Sequence, residues 1–178
     1  RPAVVLNTHI QQQETVRYGI LLLVFLLLPL FAHADAIEAR LISDIERVQQ
    51  GRPFWVAIEL TMKDEWHTYY VNPGDAGLGT TVDWRLPEGW AVDSLQWPTP
   101  MKFGEPPEVM YGYEGVVLLL ARVTPASKIS SPQVRLEASV SWLGCREVCI
   151  PGKADVALAL PVDHVSEADP LEPTPDAE

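Results

Sequence analysis

The clearest strand pattern in the chain is Val134–Trp142, which reads VRLEASVSW. Apolar side chains occupy every second position from Leu136 to Trp142, and polar side chains occupy the positions between them, from Arg135 to Ser141. Successive side chains of a strand point to opposite faces of a sheet, so one face of this segment suits a core and the other suits solvent. The pattern therefore predicts a half-buried β-strand.

Six further segments carry strand patterns, with β-branched and aromatic residues between glycine, proline and aspartate. Val116–Val123 is nearly continuous in apolar residues, which predicts a strand buried on both faces. Short strands at this spacing, without a convincing amphipathic helix, predict an all-β fold of the β-sandwich type. The six segments are Ala36–Ile45, Pro53–Met62, Thr81–Leu86, Val92–Trp97, Val116–Val123 and Ala154–Leu160.

The only two cysteines, Cys145 and Cys149, lie between the predicted strand Val134–Trp142 and the segment Ala154–Leu160. On a straight strand their Cα atoms would be about 13 Å apart, whereas a disulfide needs about 4.4–6.8 Å. A bond between them therefore requires a turn, and Pro151 marks its far side because proline cannot donate to a sheet. A disulfide that closes so short a loop stabilises a fold weakly. We therefore expect the pair in a loop at one end of the sandwich, where it suits redox chemistry.

The N-terminal part of the chain carries an export pattern. Gly19–Phe31 is apolar, follows Arg17 and precedes Ala32-His-Ala34. This order is typical of a secretory signal peptide, and about 13 residues are too few for a membrane-spanning helix. We expect residues 1–34 to be a signal peptide, whose first part is an extension from a misplaced gene start or a fragment edge. Export would place the cysteines in an oxidising compartment, where such pairs form disulfides.

The remaining composition separates a domain from a tail. Residues 163–178 are rich in acidic residues and proline and contain no lysine or arginine, which predicts a linker or tail. The folded domain is then expected over residues 35–162, which is long enough for one core. The net charge of −11 and the absence of a basic stripe exclude nucleic acid as a partner.

Two segments rich in aromatic residues are candidates for the surroundings of the cysteine pair. We predict both as loops: Asp64–Gly77, which contains a proline–glycine turn, and the proline-rich Pro98–Gly115. Their side chains would shield a disulfide from water and stray thiols; the alternative is that they are ordinary rim and core residues. The side chains in question are Trp66, His67, Tyr69, Tyr70, Phe103, Met110, Tyr111 and Tyr113.

Five motifs together resemble a known family. They are WHTYYVNPGDAGLGTTVDW (Trp66–Trp84), LPEGW (Leu86–Trp90), QWPTP (Gln96–Pro100), YGYEG (Tyr111–Gly115) and VSWLGCREVCIPG (Val140–Gly152). The combination resembles the N-terminal periplasmic domain of DsbD-type thiol:disulfide interchange proteins, in particular their ScsB-like branch. The resemblance covers nearly all of the predicted domain.

The resemblance implies an immunoglobulin-like sandwich with an active-site cysteine pair at one end. It implies electron flow from the thioredoxin-like and membrane domains of a DsbD-type reductase to periplasmic thioredoxin-fold proteins, such as a disulfide isomerase or a cytochrome-c maturation factor. Exchange would proceed through mixed disulfides, with Cys149 bonding the partner and Cys145 resolving that bond. It implies no metal and no cofactor besides the redox-active disulfide. The domain would be periplasmic, either alone or tethered to the inner membrane in a longer protein.

The family also has a cap loop over its disulfide, which resembles Glu108–Gly112 in this chain. The acidic residue of the cap maps onto Glu108 and its aromatic pair onto Met110 and Tyr111, and Tyr69 and His67 belong to the expected surroundings. Three departures bear on the identity of the partner. Val109 occupies one of the two acidic positions of the cap. Methionine replaces the first aromatic residue of the cap, and the spacer between the cysteines is shorter than in the best-known DsbD domains.

Two alternatives use the same cysteines differently. Cys-x3-Cys is also the thiolate spacing of the dinuclear copper centre of cytochrome oxidase and of the copper chaperones that help to build it, and soft thiolates suit copper. That centre needs a histidine and a methionine soon after the second cysteine. Ile150–Leu160 supplies neither, so His67 and Met110 would have to approach through folding. The other alternative is a purely structural disulfide in a periplasmic binding module, against which the short loop argues.

Overall fold

The computed structural model describes residues 36–163, which form two β-sheets packed around a shared core. Within this range the chain has eleven strands and no helix, which confirms the predicted all-β sandwich. The strands are β1 (Ile37–Ser43), β2 (Val48–Gln49), β3 (Phe54–Met62), β4 (His67–Gly74), β5 (Thr81–Arg85), β6 (Ala91–Val92), β7 (Met101–Phe103), β8 (Met110–Glu114), β9 (Val116–Thr124), β10 (Gln133–Cys145) and β11 (Cys149–Asp163). The predicted signal peptide and the predicted tail beyond Asp163 lie outside the described residues.

The two sheets differ in size and in strand order. The smaller sheet has the strand order β1-β3-β9-β6, and the larger sheet has the order β2-β11-β10-β4-β8-β7. Strand β10 pairs along its whole length with β11 on one side. On its other side it pairs with β5 through residues 137–141 and with β4 at its last residue, Cys145. Strand β10 therefore connects the cysteine pair with the rest of the larger sheet.

The core lies between the two sheets and follows the alternation of the strands. Ile58 and Leu60 of β3 and Leu119 of β9 are fully buried from the smaller sheet, and Leu136 and Val140 of β10 meet them from the larger one. Burial of such a side chain contributes roughly 1.5–3 kcal/mol to folding. The apolar half of the VRLEASVSW pattern thus faces the core, as its period predicts.

Most predicted strands are present, with changed limits. Strands β10 and β11 extend beyond their predicted ends until they reach the cysteines. The predicted strand Val92–Trp97 is mostly irregular: only Ala91–Val92 is a strand, and Gln96 makes an isolated bridge to Leu120.

The prediction that Val116–Val123 is buried on both faces is wrong. Alternate side chains of β9 are buried, but Val116, Leu118 and Leu120 are exposed. The smaller sheet has its core on one face only, and the apolar residues on the other face are in contact with solvent. A continuous apolar run does not by itself show how many faces are covered.

The prediction of two long loops is also wrong. Asp64–Gly77 contains β4, and Pro98–Gly115 contains the hairpin of β7 and β8. Proline and glycine obscured these strands: Pro73 and Gly74 lie within β4, where the pairing with β8 shifts register between Tyr69 and Gly74. Such an interruption of the pairing accommodates residues that a regular ladder excludes.

The close approach of β4 and β8 predicts that Gly112 cannot be replaced. A Cβ atom at Gly112 would lie 2.0 Å from the carbonyl oxygen of Thr68 on β4. We expect Gly112→Ala to lower the free energy of unfolding, measured by urea denaturation, by about 3 kcal/mol or more, because backbone has to move. The control is Gly115→Asn, at a position with φ +66° and open space, since asparagine tolerates this conformation. Equal losses in the two variants would contradict the pairing of β4 with β8.

Candidate active site at the hairpin tip

The two cysteines face each other at the tip of the β10–β11 hairpin. Cys145 is the last residue of β10 and Cys149 the first of β11, and they are direct cross-strand partners. Their Cα atoms are 4.1 Å apart and their sulfurs form a disulfide. Residues 146–148 make the turn, in which the amide of Arg146 donates to the carbonyl of Val148 at 3.2 Å. This confirms the predicted loop position at one end of the sandwich and supplies the turn that the bond requires.

The two sulfur-bearing residues differ strongly in exposure. Cys145 is 2% exposed, whereas Cys149 is an exposed residue. Cys145 is covered because β4 lies beside β10 at this point, with His67 directly opposite Cys145. Cys149 lies on β11, beyond β10 as seen from β4. A thiolate that approaches from solvent therefore reaches the sulfur of Cys149 first.

Tyr69 of β4 is buried on the same face of the sheet as the disulfide and contacts both sulfurs. Its hydroxyl donates to Sγ of Cys145 at 3.2 Å and lies 3.9 Å from Sγ of Cys149. Tyr69 is 3% exposed, and this burial raises the pKa of its phenol, so the hydroxyl keeps its proton. Gly77 makes room for the ring, because a Cβ atom there would lie 2.4 Å from it.

His67 lies on the same face of β4 as Tyr69, next to the disulfide. Its ring stacks on Phe103 of β7, with centroids 4.9 Å apart, and meets the ring of Tyr69 edge-on at 5.3 Å. Burial lowers the pKa of His67, and the carboxylate of its cross-strand partner Glu114 opposes this shift only in part. At neutral pH the imidazole is therefore uncharged, and it packs as an aromatic ring beside the disulfide.

The predicted cap residues lie on the neighbouring β7–β8 hairpin. Glu108 is in its connecting turn, where its amide donates to the carbonyl of Glu105 at 3.0 Å. Met110 begins β8 opposite Phe103, and Tyr111 follows on the other face of that strand. Among residues 36–163, no hydrogen bond joins any of these three side chains to a sulfur. Their role as a cap stays a prediction.

The turn residues pack against a different part of the protein. The guanidinium carbon of Arg146 lies 5.9 Å from the centroid of the Trp66 ring, and its Nη1 is 3.9 Å from Oε2 of Glu65. Gly144 allows Ile37 to pack below the hairpin, since a Cβ atom there would lie 2.5 Å from the Ile37 side chain. These contacts hold the tip in place without burying Cys149.

Two contributors to the site were missed in the sequence. Gly77 holds the space for Tyr69, and Glu114 lies opposite His67. The spacing of His67 and Tyr69 was an available signal, because residues two apart share one face of a strand. The signal was lost because this segment was predicted as a loop.

Comparison with known proteins identifies the family. A family model for the N-terminal domain of the thiol:disulfide interchange protein DsbD matches residues 38–161. The chain belongs to this family. It is therefore a domain of the thiol:disulfide interchange class, as the motifs predicted. No curated protein sequence matched the chain.

One solved structure supports the same fold. The N-terminal periplasmic domain of ScsB from Proteus mirabilis matches with a TM-score of 0.53 and 20% identity, over 72% of this chain and 48% of that one. The chain thus spans about half of that structure, and the match confirms the immunoglobulin-like sandwich. Two others are the DsbD N-terminal domain of Neisseria meningitidis in the reduced form (TM-score 0.37, 12% identity, 71% of this chain and 85% of that one) and the major pilin subunit BcpA of Bacillus cereus (TM-score 0.39, 9% identity, 71% and 39%).

Residues 36–163 contain neither a membrane-crossing helix nor a cluster of metal ligands. No helix in that range is long and apolar enough to cross a membrane. The same range holds no group of three or more His, Cys, Asp or Glu side chains placed to bind a metal ion. His67 lies opposite Cys145, as the copper hypothesis required, but that range holds no such group of ligands, and the hypothesis stays a prediction.

The lowered pKa of His67 predicts a loss of stability in mild acid. Above the unfolded-state pKa of about 6.5 the imidazole is neutral in both states, and as the pH falls below it the unfolded state takes up the proton first. We expect the free energy of unfolding to fall between about pH 7.5 and pH 5.5, and to fall less in His67→Phe, which keeps the stack on Phe103. Urea denaturation at both pH values measures this. An equal fall in both proteins would contradict the burial of a neutral His67.

Proposed function

We propose that this protein is a periplasmic thiol–disulfide exchange domain that relays electrons through Cys145 and Cys149. The electrons would come from a thioredoxin-like and membrane reductase module and go to disulfides of periplasmic proteins. The observation that supports this is the asymmetry of the pair: one sulfur is accessible, and the other is buried and hydrogen-bonded by Tyr69. A disulfide that only stabilised the fold would need neither feature.

The first step reduces the disulfide. A thiolate of the electron donor attacks the accessible sulfur of Cys149, and a bond forms between the donor and Cys149 while the Cys145–Cys149 bond breaks. The electron pair of that bond goes to the sulfur of Cys145, which leaves as a thiolate. The hydroxyl of Tyr69 already points at this sulfur and stabilises the developing charge.

The second step releases the reduced domain. The second thiolate of the donor attacks the donor's other sulfur, which is bonded to Cys149. Cys149 leaves as a thiolate and takes up a proton from water. The thiolate of Cys145 also takes up a proton from water. The donor is now a disulfide, and the domain holds two thiols. Two electrons and two protons have entered the domain, and no cofactor is needed.

The reduced domain passes its electrons to a periplasmic protein by the reverse of these two steps. The thiolate of Cys149 attacks the disulfide of a periplasmic protein and forms a mixed disulfide with it. Cys145 then attacks the sulfur of Cys149, the protein partner leaves with its thiols, and the Cys145–Cys149 bond closes again. The 4.1 Å between the Cα atoms keeps the resolving sulfur next to the mixed disulfide.

Membership of the family supports the partners and the location that we propose. We propose thioredoxin-fold proteins as partners, such as a disulfide isomerase or a cytochrome-c maturation factor, and a DsbD-type reductase as the electron source. The ScsB structure that matches is a periplasmic domain, and the signal peptide predicted over residues 1–34 agrees with export. The limits 35–162 for the domain and 163–178 for a linker are part of this proposal.

The assignment of roles predicts which variant traps a partner. We expect Cys145→Ala to accumulate a mixed disulfide with a thioredoxin-fold protein through Cys149, because the resolving sulfur is gone. Cys149→Ala should accumulate none, since its remaining sulfur is buried. Non-reducing gel electrophoresis and mass spectrometry measure the adduct. If the native protein exchanges with no thioredoxin-fold protein and neither variant traps one, the proposed function is wrong.

The position of Tyr69 predicts a kinetic role. We expect Tyr69→Phe to be reduced about tenfold more slowly by a thioredoxin-fold protein, because the leaving Cys145 thiolate loses a charge-assisted hydrogen bond. The matched control is Tyr113→Phe, which removes another buried hydroxyl, bonded to the carbonyl of Pro98 at 2.8 Å. Stopped-flow fluorescence gives the rates. Equal rates for both variants would show that Tyr69 only supports the fold.

A further inference from the structure

An apolar groove lies beside the disulfide on the outer face of the larger sheet. It is open to solvent, has a volume of about 490 Å³ and is lined by Leu78, Thr81, Leu143, Pro151 and Lys153, among others. The reactions described above involve the sulfurs and Tyr69 and make no use of it. Its position makes it a candidate surface for the protein that exchanges with Cys149.

The register of the hairpin fixes the groove relative to the sulfurs. Leu143 and Pro151 are cross-strand partners, each two residues from a cysteine along its strand. Residues two apart share a face, so this apolar pair lies on the face that carries the disulfide, about 7 Å further along the strands. The groove therefore begins where a partner bonded to Cys149 has to lie.

The lining is unusually apolar for a solvent-facing surface. Leu78 is 67% exposed at the edge of the groove, and Pro151, another of its lining residues, is exposed as well. A concave surface lined mainly by apolar side chains is typical of a binding site. None of these side chains is needed to cover the core, whose members come from the other face of the sheet.

We propose that this groove binds the extended segment that carries the partner's reactive cysteine, and that it receives an apolar side chain two residues from that cysteine. The inference rests on the proposed function, because it places the partner of the mixed disulfide. It adds what that function leaves open: which side chain next to the partner's cysteine is recognised.

Covalent geometry supports the two-residue spacing. A disulfide between the partner and Cys149 holds their Cα atoms about 4.4–6.8 Å apart. Two residues of extended chain then cover about 7 Å, the distance from Cys149 to Pro151 along β11. A side chain two residues away points to the same face as the bonded cysteine, so it enters the groove. A side chain next to the cysteine points away from it.

Synthetic peptides test this spacing directly. Three peptides carry their cysteine as a mixed disulfide with thionitrobenzoate: Ala-Leu-Ser-Cys-Ser-Leu-Ala, its isomer Ala-Ser-Leu-Cys-Leu-Ser-Ala, and Ala-Ser-Ser-Cys-Ser-Ser-Ala. Cys149 of the reduced full chain attacks the peptide sulfur and releases thionitrobenzoate, and Cys145 then releases the peptide thiol. The protein is oxidised, the probe is reduced to two thiols, and absorbance follows the release.

We expect the first peptide to react about tenfold faster than its isomer, because only its leucines reach the groove. Leu78→Ser should bring the two rates close together. The control Val116→Ser removes an equally exposed apolar side chain from the smaller sheet and should leave the ratio unchanged. Circular dichroism and urea denaturation confirm that both variants are folded.

Four results would overturn the inference, the last of them together with the proposed function. If both leucine peptides react equally fast, the groove does not read the spacing, and the proposed function stands as long as Cys145→Ala still traps a thioredoxin-fold protein. If the rate ratio survives in Leu78→Ser, the leucines bind elsewhere. If a second copy of this chain occupies the groove, sedimentation will show a dimer and the ratio will change on dilution. Absence of reaction with every peptide, together with no trapped partner, would overturn the function as well.

Discussion

The register of β10 is the constraint on which the site depends. At its last residue this strand is paired on both sides, so that Cys145 lies opposite Cys149 on β11 and opposite His67 on β4. A slip of one residue on either side would turn every side chain of the shifted strand to the other face. The disulfide, the Tyr69 hydroxyl and the outer face with its groove would then no longer meet. The alternation that buries Leu136 and Val140 fixes this register from the core.

Local sequence was sufficient to predict the regular parts of the fold. The VRLEASVSW run shows its buried face directly, because apolar and polar residues alternate without exception from Leu136 to Trp142. The cysteine spacing required a turn on distance alone, and the hairpin provides it. Both inferences use the geometry of a single strand, which depends little on the rest of the chain.

The irregular parts depend on partners that are distant in sequence. Strand β4 contains Pro73 and Gly74, which alone indicate a turn. They belong to a strand because β8 pairs with β4 on both sides of the register shift. The sequence of strand β9 suggests burial on both faces, although Val116, Leu118 and Leu120 on its outer face are exposed. The contact of Tyr69 with Cys145 joins residues 76 positions apart. Motifs could place Tyr69 near the site, but only the pairing of β4 with β10 brings its hydroxyl to the sulfur.

The difference between the two sulfurs therefore comes from sheet topology. Arg146 and Glu147 lie between the cysteines in sequence, and neither they nor the sequence distance distinguishes one sulfur from the other. What distinguishes them is the neighbour across the sheet: β4 lies beside β10 at Cys145, whereas Cys149 is exposed on the far side of the hairpin. The buried sulfur gains a hydroxyl that stabilises its thiolate, and the exposed one gains an apolar groove. The pairing of β4 with β10 thus makes the two sulfurs of one disulfide chemically different, which is what directional exchange requires.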